Sequence, residues 1–206
     1  MLQWASWNLQ NEVLFYQGIE DPEWPGRIDG GASAESNHNS KWFAPTDDGI
    51  FKLNTDAAIS VEQGLVGVGA VVRDHRGKAL ITFPKRLQMS CSPECAEPKA
   101  FFEAPYSFLQ TQEWHQIIVE SDSKDVISHL RQRAQSGHHL HQTLEDIYWC
   151  SSSFSPIYFS FIKGTRNQMA HFLAKLALSI SDVFVSFNSF PFAVEYYTDA
   201  DESALA

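Results

Sequence analysis

Residues 51–87 hold three strand-length segments joined by very short turns, and this stretch constrains the fold more than any other. In FKLNTDAAIS (51–60), Phe51, Leu53 and Thr55 alternate with Lys52, Asn54 and Asp56, the period of a strand with one apolar and one polar face. LVGVGAVVRD (65–74) is β-branched with two spaced glycines, HRG (75–77) turns the chain, and KALITFPKRL (78–87) returns it. Sequential strands with such short connections form an antiparallel meander.

Beyond the meander the pattern shifts toward helices. Ser92 is placed as an N-cap and Pro93 as the first helical residue, where the missing N–H of proline costs nothing. QIIVE (116–120) reads as a short apolar strand, and Ser123 caps a helix carrying Val126, Ile127 and Leu130. LHQTLEDIYWCS (140–151) is a further helix and IYFSFIK (157–163) a further strand. In TRNQMAHFLAKLALS (165–179), Met169, Leu173 and Leu176, continued by Ile180, make a helical core stripe. The order β-β-β-α-β-α-α-β-α specifies an α/β fold, a mixed sheet with helices packed on it.

The 206 residues suffice for one domain with appendages, and 44% hydrophobic content, with 15 Phe and 6 Trp, supplies a core. The net charge of −10 argues at first against nucleic acid, since phosphate binding rests on Lys and Arg. Its distribution reverses that. Residues 1–40 hold one basic and six acidic residues, residues 181–206 hold none and five, and residues 41–180 hold 14 of each sign. Three parts are therefore expected: an acidic flexible segment (1–40) containing the linker-like GGASAESNHNS, a neutral domain (41–180), and an aromatic, acidic tail (181–206). No apolar run is long enough to span a membrane, and the N-terminus lacks the pattern of a signal peptide. A soluble intracellular protein, nuclear or cytoplasmic, is expected, and a monomer. Cys91, Cys95 and Cys150 lack the second ligand pair a zinc site requires and read as reduced or buried thiols. GHHLH (137–141) reads as a polar turn.

Asp56 lies inside a strand, where an unpaired buried carboxylate is expensive unless it is hydrogen-bonded, paired or metal-bound. Glu97 falls on the first helix and Asp122 at the end of the fourth strand of the domain. Three carboxylates from separate segments suit a hard divalent cation if they converge. Each alone also has an ordinary reading: turn amides for Asp56, water for Glu97, a helix cap for Asp122.

The stretches WFAPTDDGIFKLNTDAA, GVGAVVRDHRGK, SPECAEPKA, VESDSKDVI and RNQMAHFLAKLAL occur in order over residues 41–180. In that order and spacing the chain resembles the ribonuclease H-like domain of plant proteins related to retroelement reverse transcriptases. The resemblance implies a five-stranded mixed sheet, its first three strands antiparallel, flanked by helices. It implies hydrolysis of the RNA strand of RNA–DNA hybrids, with four carboxylates on two Mg²⁺ ions about 4 Å apart, Mn²⁺ being an alternative. On that match Asp56 bridges both ions, and Glu97 and Asp122 hold the ion at the leaving group. His171 stands where the fourth carboxylate is expected, and imidazole is a poor ligand for Mg²⁺. On the residues alone, His171 belongs equally well to a solvated helix face with Asn167 and Lys175.

Other departures bear on turnover. Pro98 and Pro105 replace helix formers, and Pro98 predicts a kink beside Glu97. Ala57 replaces a glycine, and Thr165 stands where many active relatives carry a mobile histidine. Lys85, Arg86, Lys163, Arg166 and Lys175 are candidate phosphate contacts, although no dense basic run exists. The expected function is a metal-dependent ribonuclease, the alternative an inactive nucleic-acid-binding or protein-interaction module of the same fold.

Overall fold

The period-2 segments form the centre of a mixed sheet in the computed structural model, which describes residues 14–16, 49–89, 91–103, 116–132, 141–151, 157–181 and 184–187. The strands are β1 (Leu14–Tyr16), β2 (Ile50–Ser60), β3 (Leu65–Arg73), β4 (Ala79–Gln88), β5 (Gln116–Ser121), β6 (Ile157–Phe161) and β7 (Phe184–Phe187). The helices are α1 (Pro93–Glu103), α2 (Lys124–Gln132), α3 (His141–Ser151) and α4 (Gln168–Ser179), with a 3₁₀ turn at Gly164–Arg166. From β2 to α4 the order is the one the periodicity predicts. The linker-like stretch, Pro105, most of GHHLH and the acidic end beyond residue 187 lie outside the described residues.

The sheet order is β1-β7-β4-β3-β2-β5-β6. β2, β3 and β4 are the expected antiparallel meander, while β5 joins β2 and β6 joins β5 in parallel. The expected count of five strands is too low. β7 adds antiparallel to the edge of β4, and β1 adds parallel to β7, both from outside residues 41–180. β4 would otherwise be an edge strand with unpaired N–H and C=O groups, which β7 satisfies in part.

Tight turns set the meander's register. Asp74 Oδ1 accepts the backbone N–H groups of Arg76 and Lys78, both at 2.9 Å, and Gly77 completes the turn at φ 84. A left-handed φ of that kind favours glycine.

One face of the sheet packs Leu53, Val68, Val72, Ile81, Phe83, Ile117 and Val119 against α1, α2 and α3 through Ala100, Ile127, Leu130, Leu144 and Ile147. Each large side chain so buried contributes roughly 1.5–3 kcal/mol. The opposite face receives α4, whose Met169 and Leu173 pack on Val71 and Ala79. Here β3 presents Gly67 and Gly69, and a Cβ on either would run into the α4 backbone at Ala170 and Ala174. The helix can therefore lie directly on the strand.

α1 starts as predicted: the carbonyl of Ser92 accepts the N–H groups of Cys95 and Ala96, each at 3.0 Å. The helix continues through the buried Pro98 to Glu103. Its end is tied to the sheet by Glu103, which takes Lys85 Nζ at 2.7 Å and Lys99 Nζ at 3.0 Å. Burial pushes the Glu103 carboxyl up, but the two lysines outweigh it and hold it below its ordinary value. Lys85 is thus a buried structural cation, and its reading as a phosphate contact is corrected.

Candidate metal centre

Register places the acids. Asp56, at the middle of β2, pairs with Gly69 of β3, so its side chain shares the face on which α4 lies. Only 3% of Asp56 is exposed. The parallel pairing of β2 with β5 carries Asp122, just past the end of β5, to the same side, and Glu97 arrives from α1. One carboxylate oxygen from each of Asp56, Glu97 and Asp122 lies within 4.8 Å of the others. The structure therefore brings together the three acids that the sequence singles out.

Three carboxylates this close resist simultaneous ionisation. Burial, then Asp56 and Asp122, pushes the Glu97 carboxyl up to about 8. Burial and Asp122 also push Asp56 up, to about 6, against the opposing pull of His171 and the Ala57 N–H. Glu97 Oε2 is buried with no hydrogen-bond partner, an arrangement that is costly until something satisfies it. An oxygen-only donor set with an unsatisfied buried oxygen fits a hard divalent cation.

His171 faces the site. Its Nδ1 lies 2.6 Å from Asp56 Oδ2, while half of its side chain remains exposed. It is drawn there by the close seating of α4 on Gly67 and Gly69. Asp56 Oδ1 accepts the N–H of Ala57 at 2.9 Å. His171 is not among the three residues whose ligand atoms converge.

Asn167 is a positioning residue that sequence reasoning leaves on the helix surface. It is buried, and its Nδ2 donates to the Thr55 carbonyl at 2.9 Å and to Asp122 Oδ1 at 3.0 Å. Its place before a helix reads as an N-cap, yet its side chain makes no capping bond. That position at the helix start is the available signal, and it points to the wrong role. Gly164 leaves room for Asp122 as well, since a Cβ there would sit 2.9 Å from Oδ2. Thr165 is exposed in the same turn.

Glu120, buried on β5, stays out of the cluster because its oxygens are already engaged. Lys52 Nζ lies 2.8 Å from Oε1 and Asn54 Nδ2 donates to Oε2 at 2.9 Å. Of the remaining candidate phosphate contacts, Lys163 and Lys175 are exposed and Arg86 and Arg166 partly so. Cys91 and Cys95 are free thiols. No helix among the described residues is long and apolar enough to cross a membrane.

A mixed sheet with an antiparallel meander, helices on both faces and acids gathered at its centre defines a ribonuclease H-like domain. The chain belongs to the reverse transcriptase-like family, which matches residues 54–177. Among solved structures it is similar to RNase H1 of the halophilic archaeon Halobacterium salinarum NRC-1, at 18% identity and TM-score 0.58, over 63% of this chain and 98% of that one. The N-terminal RNase H domain of Rv2228c from Mycobacterium tuberculosis aligns at 21% identity and TM-score 0.57, over 63% of this chain and 94% of that fusion protein. LC11-RNase H1, isolated from compost, aligns at 20% identity and TM-score 0.57, over 64% and 96% of the two chains. These likenesses show the fold. No curated protein matches the chain in sequence.

Proposed function

We propose that residues 41–180 form a divalent-metal-dependent nuclease that hydrolyses the RNA strand of an RNA–DNA hybrid, with Asp56, Glu97 and Asp122 as metal ligands. The observation that carries this reading is the convergence of three carboxylates within 4.8 Å, one of them ending in an unsatisfied buried oxygen. A cation there, Mg²⁺ or Mn²⁺, would supply Lewis-acid polarisation of the phosphodiester and a more acidic water. The residues do the rest by positioning. The Ala57 N–H fixes one oxygen of Asp56, and Asn167 fixes Asp122 against the backbone of β2, so neither carboxylate must reorganise when substrate arrives. LC11-RNase H1, which has this fold, has been solved with an RNA/DNA hybrid. The exposed Lys163 and Lys175 are the cations assigned to its phosphates here.

A second reading has its own observation. His171 sits against Asp56 where a fourth carboxylate is expected, which favours an inactive module that binds nucleic acid without cutting it. One assay separates the two. The purified chain and its Asp56→Asn variant are incubated with labelled hybrid in Mg²⁺ and in Mn²⁺. The nuclease reading expects cleavage that Asp56→Asn lowers by on the order of a hundredfold or more, and His171→Asp to raise the rate in Mg²⁺. Hybrid binding without cleavage in either metal establishes the inactive module instead.

A further inference from the structure

We propose that the site takes a single divalent cation and that His171 closes the place a second would need. The inference rests on the reading of Asp56, Glu97 and Asp122 as ligands. Asp56 is the residue that would have to bridge two ions, which requires a free lone pair directed at each. Its Oδ1 already accepts the Ala57 N–H at 2.9 Å, and its Oδ2 lies against His171 Nδ1 at 2.6 Å. What remains of Asp56 points into the space shared with Glu97 and Asp122, where one ion fits.

Charge leads to the same conclusion. Four carboxylates neutralise two dications, whereas three leave a second dication uncompensated beside the first. Imidazole adds no negative charge and is a soft donor for an ion such as Mg²⁺. The other buried carboxylate on this strand pair, Glu120, cannot make up the deficit, because Lys52 and Asn54 engage its two oxygens. Among the described residues, only three acids converge.

The test counts ions rather than turnover. Mn²⁺ binding to the full chain is measured by equilibrium dialysis, with electron paramagnetic resonance reporting whether bound ions are coupled to one another. The expected result is one site-bound Mn²⁺ with an uncoupled spectrum, lost in Asp56→Asn. His171→Ala, which removes the imidazole without adding charge, stays at one. His171→Asp gains a second ion and a coupled spectrum. A coupled pair in the unaltered chain, a second ion in His171→Ala, or a folded His171→Asp that keeps one ion overturns the proposal. If Asp56→Asn leaves the count unchanged, the ions belong to acids elsewhere, and the metal-centre reading fails with it. Circular dichroism establishes that each variant is folded, and should His171→Asp not fold, the spectrum of the unaltered chain decides.

Discussion

Glu97 governs how the site answers to pH. Its carboxyl is raised from 4.5 to about 8 in the folded chain, so between those values the folded state holds a proton that the unfolded state has released. Stability without metal is then greatest below the lower value and falls as pH rises toward the higher one. Asp56 acts in the same sense between 3.8 and about 6. Urea unfolding in chelator across this range should show a decline on the order of a few kcal/mol, and Glu97→Gln should remove most of it. Metal affinity should run the other way, climbing to about 8 because the ligand must lose its proton. A declining stability curve that Glu97→Gln leaves intact would place the protons elsewhere. The three acids are legible in the sequence because a carboxylate in a strand, or at its end, demands a partner. Asn167 is not, since its partners Thr55 and Asp122 lie far away along the chain, and nothing in a linear pattern distinguishes a cap from a bridge.

At the scale of elements, α4 is placed by what β3 lacks. Gly69→Ala would set a methyl group against the Ala170 carbonyl and the Ala174 backbone, neither of which is a flexible side chain able to move aside. The expected cost is about 1–3 kcal/mol or more, and as the helix lifts, His171 should separate from Asp56. Denaturant unfolding measures the first effect. The second is read from the imidazole's NMR chemical shifts without metal, which should move toward those of Asp56→Asn. Unchanged stability would mean that the helix is not seated on its backbone. Periodicity reveals each of these elements, because apolar spacing is local. It does not reveal which face of the sheet each helix covers, because two spaced glycines in a strand read as a weakness until a helix is seen to lie on them. Pro98 shows the reverse error: the local rule predicts a break, yet α1 continues past it, held at its far end by the Glu103 ion pairs with Lys85 and Lys99.

At the scale of the molecule, strands from beyond the expected domain complete the sheet. Val185 of β7 is fully buried in the core, and β7 covers part of the β4 edge. Deleting residues 181–206 should cost about 1–3 kcal/mol from the loss of that side chain alone and leave β4 open to pairing with another copy. Thermal unfolding and concentration-dependent light scattering check both, and a shortened chain that is equally stable and scatters no more light would show the added strands to be incidental. Composition marks these ends as acidic appendages because charge dominates their averages, while a strand of three or four residues is too short to leave a periodic signal. The seating of α4 also sets an order of assembly. Asp56, Glu97 and Asp122 precede Asn167 and His171 in the chain, so a polypeptide made from its N-terminus carries all three acids before it carries the helix that clamps two of them. Until that helix emerges, Asp122 lacks its amide partner and Asp56 its imidazole. A growing chain, surrounded by the RNA of the machinery that makes it, thus has its cutting site finished only when the domain itself is nearly complete.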